Sequence, residues 1–439
     1  MATASAEPES EGADPSGHRP EAEDGSKHAA SGRLDGISRS RDRLKPSATA
    51  IEESPPEALA ELVGRYDAEV FEVGRSHARI RLTGAGLGSY DVLLDGRHAK
   101  LVRADGHRPD ALLEAGPRTW DRIATDVQAG MEAYRRGRLK IRRDLHLGVG
   151  FLAATATQGD GGLRFRTIRT ARGRISISEA GSGPAALMIH GLGATKVSFL
   201  PTLTALAPNG HRAIAVDLPG FGDSDKPLLG SYNARFFAQS MTALLDALEL
   251  DRVDVIGNSM GGRVALELGL SAPERVNRLV LLAPSLAWLR ARPWAPFLRL
   301  VAPQLGMIQP APRWVVEQIV RSVVPGSETE WTAAGIDEFL RSYLTPAGRA
   351  AFYAAARNIY LEEPYGRDGF WTRLPSLQPE SLFVWGRKDP LVPISFERHV
   401  KEALPSARHR ELQCGHVPQL ERPKETHQAI LRFLDRDRN

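Results

Sequence analysis

The stretch Val253–Arg263 constrains the fold of this chain more than any other stretch. Its first residues are rich in Val and Ile and predict a buried strand, and the residues that follow it predict a helix. Between strand and helix lies the pentapeptide Gly257-x-Ser259-x-Gly261. This spacing is typical of a sharp turn that lifts a nucleophilic serine above a sheet, because the glycines let strand and helix approach closely. The helix N-terminus then directs backbone N–H groups toward a developing anion.

The chain has 439 residues, which predicts two folded units or one unit with a large insertion. Its net charge of +4 is too small to indicate a nucleic-acid partner. The single cysteine, Cys414, excludes an intrachain disulfide framework and every cysteine-cluster metal site. There is no early apolar run typical of a secretory signal and no stretch long enough to span a bilayer. We therefore expect a cytoplasmic protein without a transmembrane segment.

Residues 1–52 are rich in Ala, Ser, Gly, Pro and charged residues and hold almost no aliphatic ones. Such a segment buries too little apolar surface to offset its ordering entropy, so it is predicted to be a disordered tail. Acidic residues dominate its first half and basic residues its second half. The basic part leaves open a peripheral contact with an anionic membrane surface, although a solvated tail is the simpler interpretation.

Residues 53–156 are predicted to form a small α+β domain. After a first helix, short alternating segments predict an antiparallel sheet with one polar face, in which Asp95-Gly96 is a hairpin turn. A helix is expected over 117–129 and a strand over Arg138–Arg142, followed by an apolar helix. No residue of this region is typical of catalytic machinery.

The segment from Gly137 to Asp144, Gly-Arg-Leu-Lys-Ile-Arg-Arg-Asp, resembles the Gly-x-Leu-Lys-Ile-x-Gly-Asp signature of the sterol carrier protein domain. This chain departs from the signature at Arg143, where the family usually has glycine. Domains of that family hold lipids or other apolar molecules between sheet and helices, so the resemblance implies a lipid ligand. A small α+β domain built only for packing or dimerisation has the same pattern, and that alternative stays open.

After a glycine-rich linker at 155–162, residues 157–439 alternate between strand and helix patterns, which predicts a mostly parallel sheet. The strand candidates are Phe165–Ile168, Ile175–Ser178, Ala186–Ile189, Ala213–Val216, Val253–Ile256, Leu279–Leu282 and Leu382–Trp385. The alternation stops over 284–378, where helical runs and five tryptophans predict a helical cap inserted after the sixth of these strands. Open α/β sheets bind ligands at the carboxyl ends of their strands, so we expect this cap to cover the substrate.

Two further segments carry residues that are typical of nucleophilic catalysis. Trp385–Pro393 places Asp389 in a turn after a buried strand, and Leu412–Pro418 presents His416 on a loop before the last helix. Each of these residues, like Ser259, follows the carboxyl end of a predicted strand. We therefore expect Ser259, Asp389 and His416 to form a catalytic triad, in which the acid fixes the imidazole tautomer and the imidazole removes the seryl proton.

The segment Ile189–Gly193 follows a buried strand and holds small residues that let the backbone curl. The N–H of Leu192 is expected to point at an oxyanion, with the N–H of Met260 as the second donor. His190 of this segment is not assigned as the base. The strand after the helix of the serine ends in Ala283-Pro284-Ser285 without a carboxylate, so no rival acid is expected there.

These motifs, together with Asp217–Ser224 of the form D-x-x-G-x-G-x-S, make residues from about 160 to 439 similar to the α/β-hydrolase superfamily. The resemblance implies a mostly parallel sheet flanked by helices. Serine at 259, rather than aspartate, argues against haloalkane dehalogenase and epoxide hydrolase reactions. The leading hypothesis is a serine carboxylesterase or lipase that cleaves an ester of a lipophilic substrate through an acyl-enzyme, without metal or cofactor.

Three alternatives stay open. Gly-Asn-Ser-Met-Gly-Gly and Cys-Gly-His resemble segments of the meta-cleavage-product hydrolases, which cut carbon–carbon bonds in dienoates. That family usually has a longer glycine run and an aromatic residue where this chain has Leu192 and Val417. Acyl transfer or a cofactor-free peroxidase reaction would follow if another nucleophile intercepted the acyl-enzyme. A non-enzymatic lipid-binding protein is the last alternative, and an intact triad argues against it.

Overall fold

Two β-sheets with their own helices make up the described part of the chain in this computed structural model. The described residues are 55–71, 77–125, 130, 133–134, 136–156, 162–287, 302, 307–308, 312–315, 317–318 and 330–436. The predicted tail at 1–52, most of the predicted linker and a large part of the cap lie outside the described residues. No helix among the described residues is long and apolar enough to cross a membrane.

The smaller sheet precedes the larger one along the chain. Its elements are α1 (Glu57–Gly64), β1 (His77–Gly84), β2 (Gly88–Asp95), β3 (His98–Arg103), β4 (Ala111–Ala115), α2 (Pro117–Thr125), β5 (Leu139–Arg142) and α3 (Leu145–Ala154). The strand order is β3-β2-β1-β4-β5. The antiparallel meander of β1, β2 and β3 is confirmed, but β4 was not predicted, and its pairing with β1 is parallel. Its sequence, Ala-Leu-Leu-Glu-Ala, lacks the β-branched and aromatic residues that signal a strand.

Arg143, the residue that departs from the sterol-carrier signature, has a φ of +75°. This left-handed conformation is the one that glycine adopts most readily. Two hydrogen bonds hold Arg143 in this conformation. Its backbone N–H donates to Asp337 Oδ2 at 3.0 Å, and its side-chain Nη1 donates to the carbonyl of Pro109 at 2.6 Å. The backbone therefore has the shape that a glycine would favour here, although the family resemblance itself stays a prediction.

The larger sheet has eight strands in the order β13-β12-β11-β10-β8-β9-β7-β6. They are β6 (Arg164–Thr170), β7 (Gly173–Ala180), β8 (Ala185–Ile189), β9 (Arg212–Val216), β10 (Val253–Asn258), β11 (Val276–Leu282), β12 (Glu380–Gly386) and β13 (Arg408–Leu412). Strand β7 is antiparallel to both neighbours, and all other pairs are parallel. All seven strands predicted for this region, and the mostly parallel sheet, are confirmed.

Helices cover both faces of this sheet. They are α4 (Leu200–Leu206), α5 (Ala234–Ala247), α6 (Met260–Ser271), α7 (Glu330–Tyr343), α8 (Pro346–Tyr360), α9 (Phe370–Arg373), α10 (Phe396–Ala403), α11 (Pro418–Glu421) and α12 (Pro423–Leu434). Leu187 of β8 belongs to a cluster with residues of α5 and α6, whereas the next residue, Met188, packs with residues of α4 and α12. Successive side chains of a strand point to opposite faces, so both faces of this strand are covered by helices.

Helices α7 and α8 belong to the predicted cap, and the described residues of the cap are mostly helical. Phe339 of α7 and Phe352 of α8 occupy the space beside Gly193 in the loop after β8. The cap helices therefore contact the predicted oxyanion loop. Trp288 and Trp294 of the predicted cap lie outside the described residues.

The apolar cluster of the smaller sheet is completed by side chains from the larger unit. Val197 and Leu200, which follow the loop after β8, and Ala334 of α7 pack into it. The Phe165 N–H also donates to the Val70 carbonyl at 2.8 Å. Residues Ser54–Asn439 thus form one compact unit, and the domain boundary near 156 stays a prediction.

Candidate active site

Ser259 lies at the turn between β10 and α6 with a φ of +52°, a conformation that few residues other than glycine adopt. The flanking glycines are required by close packing. A Cβ on Gly257 would lie 2.3 Å from the carbonyl oxygen of Gly261, and a Cβ on Gly261 would lie 2.0 Å from that of Ile189. The sharp strand-to-helix turn expected from the sequence is therefore present.

The structure brings Ser259, His416 and Asp389 into one chain of hydrogen bonds. His416 Nε2 lies 2.7 Å from Ser259 Oγ, and His416 Nδ1 lies 2.8 Å from Asp389 Oδ2. The other carboxylate oxygen of Asp389 accepts from the N–H groups of Leu391 and Val392 at 2.8 and 2.9 Å. Ser259 and Asp389 are buried. This arrangement can hold one imidazole tautomer and remove a proton from the serine.

Two polar side chains that the sequence analysis missed fix the loop of His416. The Glu421 carboxylate accepts from the N–H groups of Gly415 at 2.6 Å and Val417 at 2.9 Å, one on each side of the histidine. The Asn258 amide donates to the His416 carbonyl at 3.1 Å. A glutamate that ends the first helical turn after a loop resembles a capping box, and this signal could have identified Glu421.

The predicted oxyanion loop runs against the serine. A Cβ on Gly191 would lie 3.2 Å from the Cβ of Ser259, so Leu192 follows directly after the point of contact. Met260 is the residue after the serine and the first of α6.

His190 has a structural role in this loop. Its Nδ1 lies 2.7 Å from the Gly191 carbonyl, and its Nε2 accepts from the Leu218 N–H at 3.0 Å. Complete burial lowers its pKa, which favours the neutral ring. His190 therefore links the ends of β8 and β9. Both of its ring nitrogens are occupied by these contacts, so it is not a candidate for the base.

A buried ion cluster lies next to the predicted oxyanion loop. Lys196 Nζ donates to Asp217 Oδ2 at 2.6 Å, and the Lys196 N–H donates to Asp217 Oδ1 at 2.7 Å. Burial alone would raise the pKa of Asp217, but the Lys196 ammonium holds that pKa below its ordinary value. Asp223 extends the cluster to His146 of α3 and to Arg341 of α7, each 2.8 Å away. The cluster thus joins the loop, the cap and the smaller sheet.

The model of the alpha/beta hydrolase fold family matches residues 184–423, more than half of the 439 residues. This chain belongs to the α/β-hydrolase fold family. The match includes all three residues of the hydrogen-bonded chain, and it confirms the expected fold class.

Curated relatives are similar over most of their own length. A 2-hydroxy-6-oxo-6-phenylhexa-2,4-dienoate hydrolase from Comamonas testosteroni is 28% identical over 59% of this chain and 91% of its own. A 2-hydroxymuconate semialdehyde hydrolase from Pseudomonas putida is 28% identical over 61% of this chain and 93% of its own. The family and these relatives identify the chain as a hydrolase. Neither relative is named as an esterase, so they lend no support to the expected ester substrate.

A solved structure of a membrane phospholipase A, described as a bacterial virulence factor, is also similar. It is 28% identical, covers 63% of this chain and 87% of its own, and has a TM-score of 0.52.

Proposed function

We propose that this hydrolase acts through Ser259 as the nucleophile, His416 as the base and Asp389 as the acid that orients it. The observation that carries the proposal is the continuous chain of hydrogen bonds from Asp389 to Ser259, with distances of 2.8 and 2.7 Å. The N–H groups of Leu192 and Met260 are the proposed oxyanion donors, because Met260 follows the serine and Leu192 follows Gly191, which lies against it. No metal or cofactor is part of this mechanism.

We propose further that the bond broken is a carbon–carbon bond beside a ketone, in a 6-oxo-dienoate. The similarity to two relatives whose names describe a dienoate and a semialdehyde supports this substrate class. So does the Gly-Asn-Ser-Met-Gly-Gly segment around Ser259. A carbon leaving group needs its electron pair delocalised. The 2-keto tautomer of the substrate, in which the enol proton has moved to the carbon beside the ketone, provides this because the cleaved fragment leaves as a conjugated dienolate.

The reaction would proceed in two halves. Ser259 Oγ adds to the ketone carbon while His416 takes its proton, and the bond from that carbon to the dienoate then breaks. The electron pair goes to the dienoate fragment, which receives the proton from His416. Water, deprotonated by His416, attacks the acyl carbon, and Ser259 leaves with its proton restored.

Hydrolysis of a lipophilic ester is the second candidate. The phospholipase structure supports it, as do Leu192 and Val417, at which the chain departs from the carbon–carbon hydrolases. The aromatic pair Phe339 and Phe352 beside the oxyanion loop also provides an apolar surface. Both candidates use the same acyl-enzyme and differ in the leaving group.

Turnover of two substrates by three proteins tests these proposals. The three proteins are wild type, Ser259→Ala and Ser271→Ala. One substrate is 2-hydroxy-6-oxo-6-phenylhexa-2,4-dienoate, the compound in the name of the first relative, and the other is p-nitrophenyl butyrate. Ser271 is an exposed serine at the end of the same helix and serves as the control. We expect Ser259→Ala to lose at least about a thousandfold in kcat with either substrate that wild type turns over.

The two outcomes separate the candidates. A higher kcat/KM for the dienoate supports carbon–carbon hydrolysis, whereas turnover of the ester alone supports the second candidate. Equal rates for wild type and Ser259→Ala would rule out both.

A further inference from the structure

We propose that Ser285 is a second catalytic hydroxyl, which donates a hydrogen bond to Ser259 Oγ and assists breakdown of the acyl-enzyme. This inference rests on the proposed function of Ser259. Ser285 Oγ lies 3.4 Å from Ser259 Oγ, and both residues are about 5% exposed. The segment Ala283-Pro284-Ser285 follows β11 and contains no group with a role in the mechanism described above.

The backbone directs Ser285 toward the nucleophile through an unusual turn. Ala283 has a φ of +43°, in the left-handed region that disfavours residues with a Cβ. The turn is fixed at both ends, because the Ala283 N–H donates to the Val384 carbonyl at 2.8 Å and the Ser285 N–H donates to the Ser259 carbonyl at 2.9 Å. Ser259 itself has a positive φ. Two strained turns thus lie next to each other, and together they bring the hydroxyl groups of Ser259 and Ser285 close.

The direction of the hydrogen bond follows from the protons available. His416 Nδ1 faces the Asp389 carboxylate and carries the ring proton, so Nε2 is the acceptor for the Ser259 hydroxyl. Ser259 therefore donates its only hydroxyl proton to His416. Ser285 must then be the donor in the hydrogen bond between the two serine oxygens. At 3.4 Å the distance is long for an O–H···O bond, and the contact is expected to shorten as Ser259 Oγ gains charge along the reaction.

A donor to Ser259 Oγ affects the two halves of the reaction differently. In the acyl-enzyme this oxygen is an ester oxygen, which accepts hydrogen bonds poorly because its lone pair is delocalised into the carbonyl. During deacylation the bond from Oγ to the acyl carbon breaks, the electron pair goes to Oγ, and His416 delivers the proton taken from water. The bond from Ser285 therefore strengthens as the oxygen gains charge, while Ser285 keeps its own proton.

Acylation begins from a free hydroxyl, which already accepts the bond from Ser285. This half of the reaction gains little from Ser285, because the bond is present before and during the attack. The expected consequence is a specific loss in deacylation when the hydroxyl is removed.

Rapid-mixing kinetics with p-nitrophenyl butyrate separate the two steps, since acylation releases p-nitrophenol in a burst and deacylation limits the later rate. For Ser285→Ala we expect deacylation to slow about three- to tenfold and acylation to change less than about twofold, so that the burst grows relative to the steady rate. Ser285→Thr, which keeps a hydroxyl, should restore deacylation and controls for packing.

Equal losses in both steps, or wild-type deacylation in Ser285→Ala, would overturn this inference while leaving the role of Ser259 intact. Steady-state turnover that persists in Ser259→Ala would instead remove the proposed function and this inference with it. Circular dichroism of Ser285→Ala establishes that the variant is folded before its rates are compared.

Discussion

Glu421 shows how a residue outside the hydrogen-bonded chain can control it. Its carboxylate binds the N–H groups on both sides of His416, and the imidazole must stay within hydrogen-bond reach of both Ser259 and Asp389. Small displacements of a positioned base cost activity because the proton transfers require close contact. We therefore regard Glu421 as a positioning residue for His416.

Substitution of Glu421 should reduce kcat and leave KM nearly unchanged. Glu421→Gln keeps one acceptor and is expected to lower kcat about three- to tenfold, and Glu421→Ala, which removes both, should lower it further. Glu425→Gln changes an exposed glutamate on the neighbouring helix and is the matched control. If both Glu421 variants had the kcat of wild type, the loop of His416 would be held by other contacts.

The position of a functional residue was predictable from the sequence where the order of strands alone determines it. Ser259, Asp389 and His416 each follow a strand of the parallel sheet, so their order along the chain predicts a common edge. Ser285 was missed because its partner, Ser259, is distant along the chain and is brought close only by the fold. A serine after proline is too common to indicate such a contact. Glu421 binds groups only four and six residues before it, and its place near a helix start was a usable signal that was overlooked.

At the scale of whole elements, helix α12 is fixed to α4 by a histidine that burial keeps neutral. The His427 Nε2 lies 3.1 Å from Thr202 Oγ1. Burial lowers the pKa of His427 to about 4, whereas an unfolded chain has a histidine pKa of about 6.5. Between these two values the unfolded state binds more protons than the folded state.

The free energy of unfolding should therefore decrease as the pH falls from about 6.5 toward 4. The contribution of His427 is at most about 1.4 kcal/mol per pH unit in that window. Urea unfolding of wild type and His427→Gln at pH 7 and pH 5 measures it, with the exposed His98→Gln as the control. The pH dependence should be weaker in His427→Gln, and an identical dependence in all three proteins would contradict the assignment.

Elements with a strong periodic pattern were predictable, and one without it was not. The buried strands of the larger sheet are short apolar runs, and all were found within a few residues of their observed bounds. Strand β4 was missed because its alanine and leucine residues suit a helix equally well. Its pairing with β1 on one side and with β5 on the other, both distant along the chain, makes it a strand.

At the scale of the whole molecule, contacts between segments that are distant along the chain join the smaller sheet to the rest of the protein. No local sequence pattern predicts such contacts. Arg143 binds Asp337, 194 residues later, and His146 binds Asp223. The expectation of two folded units did not anticipate that the smaller sheet would be completed by Val197, Leu200 and Ala334. Through His146, Asp223 and Lys196 the smaller sheet is joined to the segment that carries the proposed oxyanion loop.

The central claim, that Ser259 is an activated nucleophile, can be tested without knowing the substrate. Intact protein is treated with a fluorophosphonate, digested, and examined by mass spectrometry for the modified residue. We expect modification of Ser259 in wild type, and labelling at least about a hundredfold slower in His416→Ala because the base is absent. Wild-type protein that stays unlabelled, or that is labelled equally fast without His416, would contradict the claim.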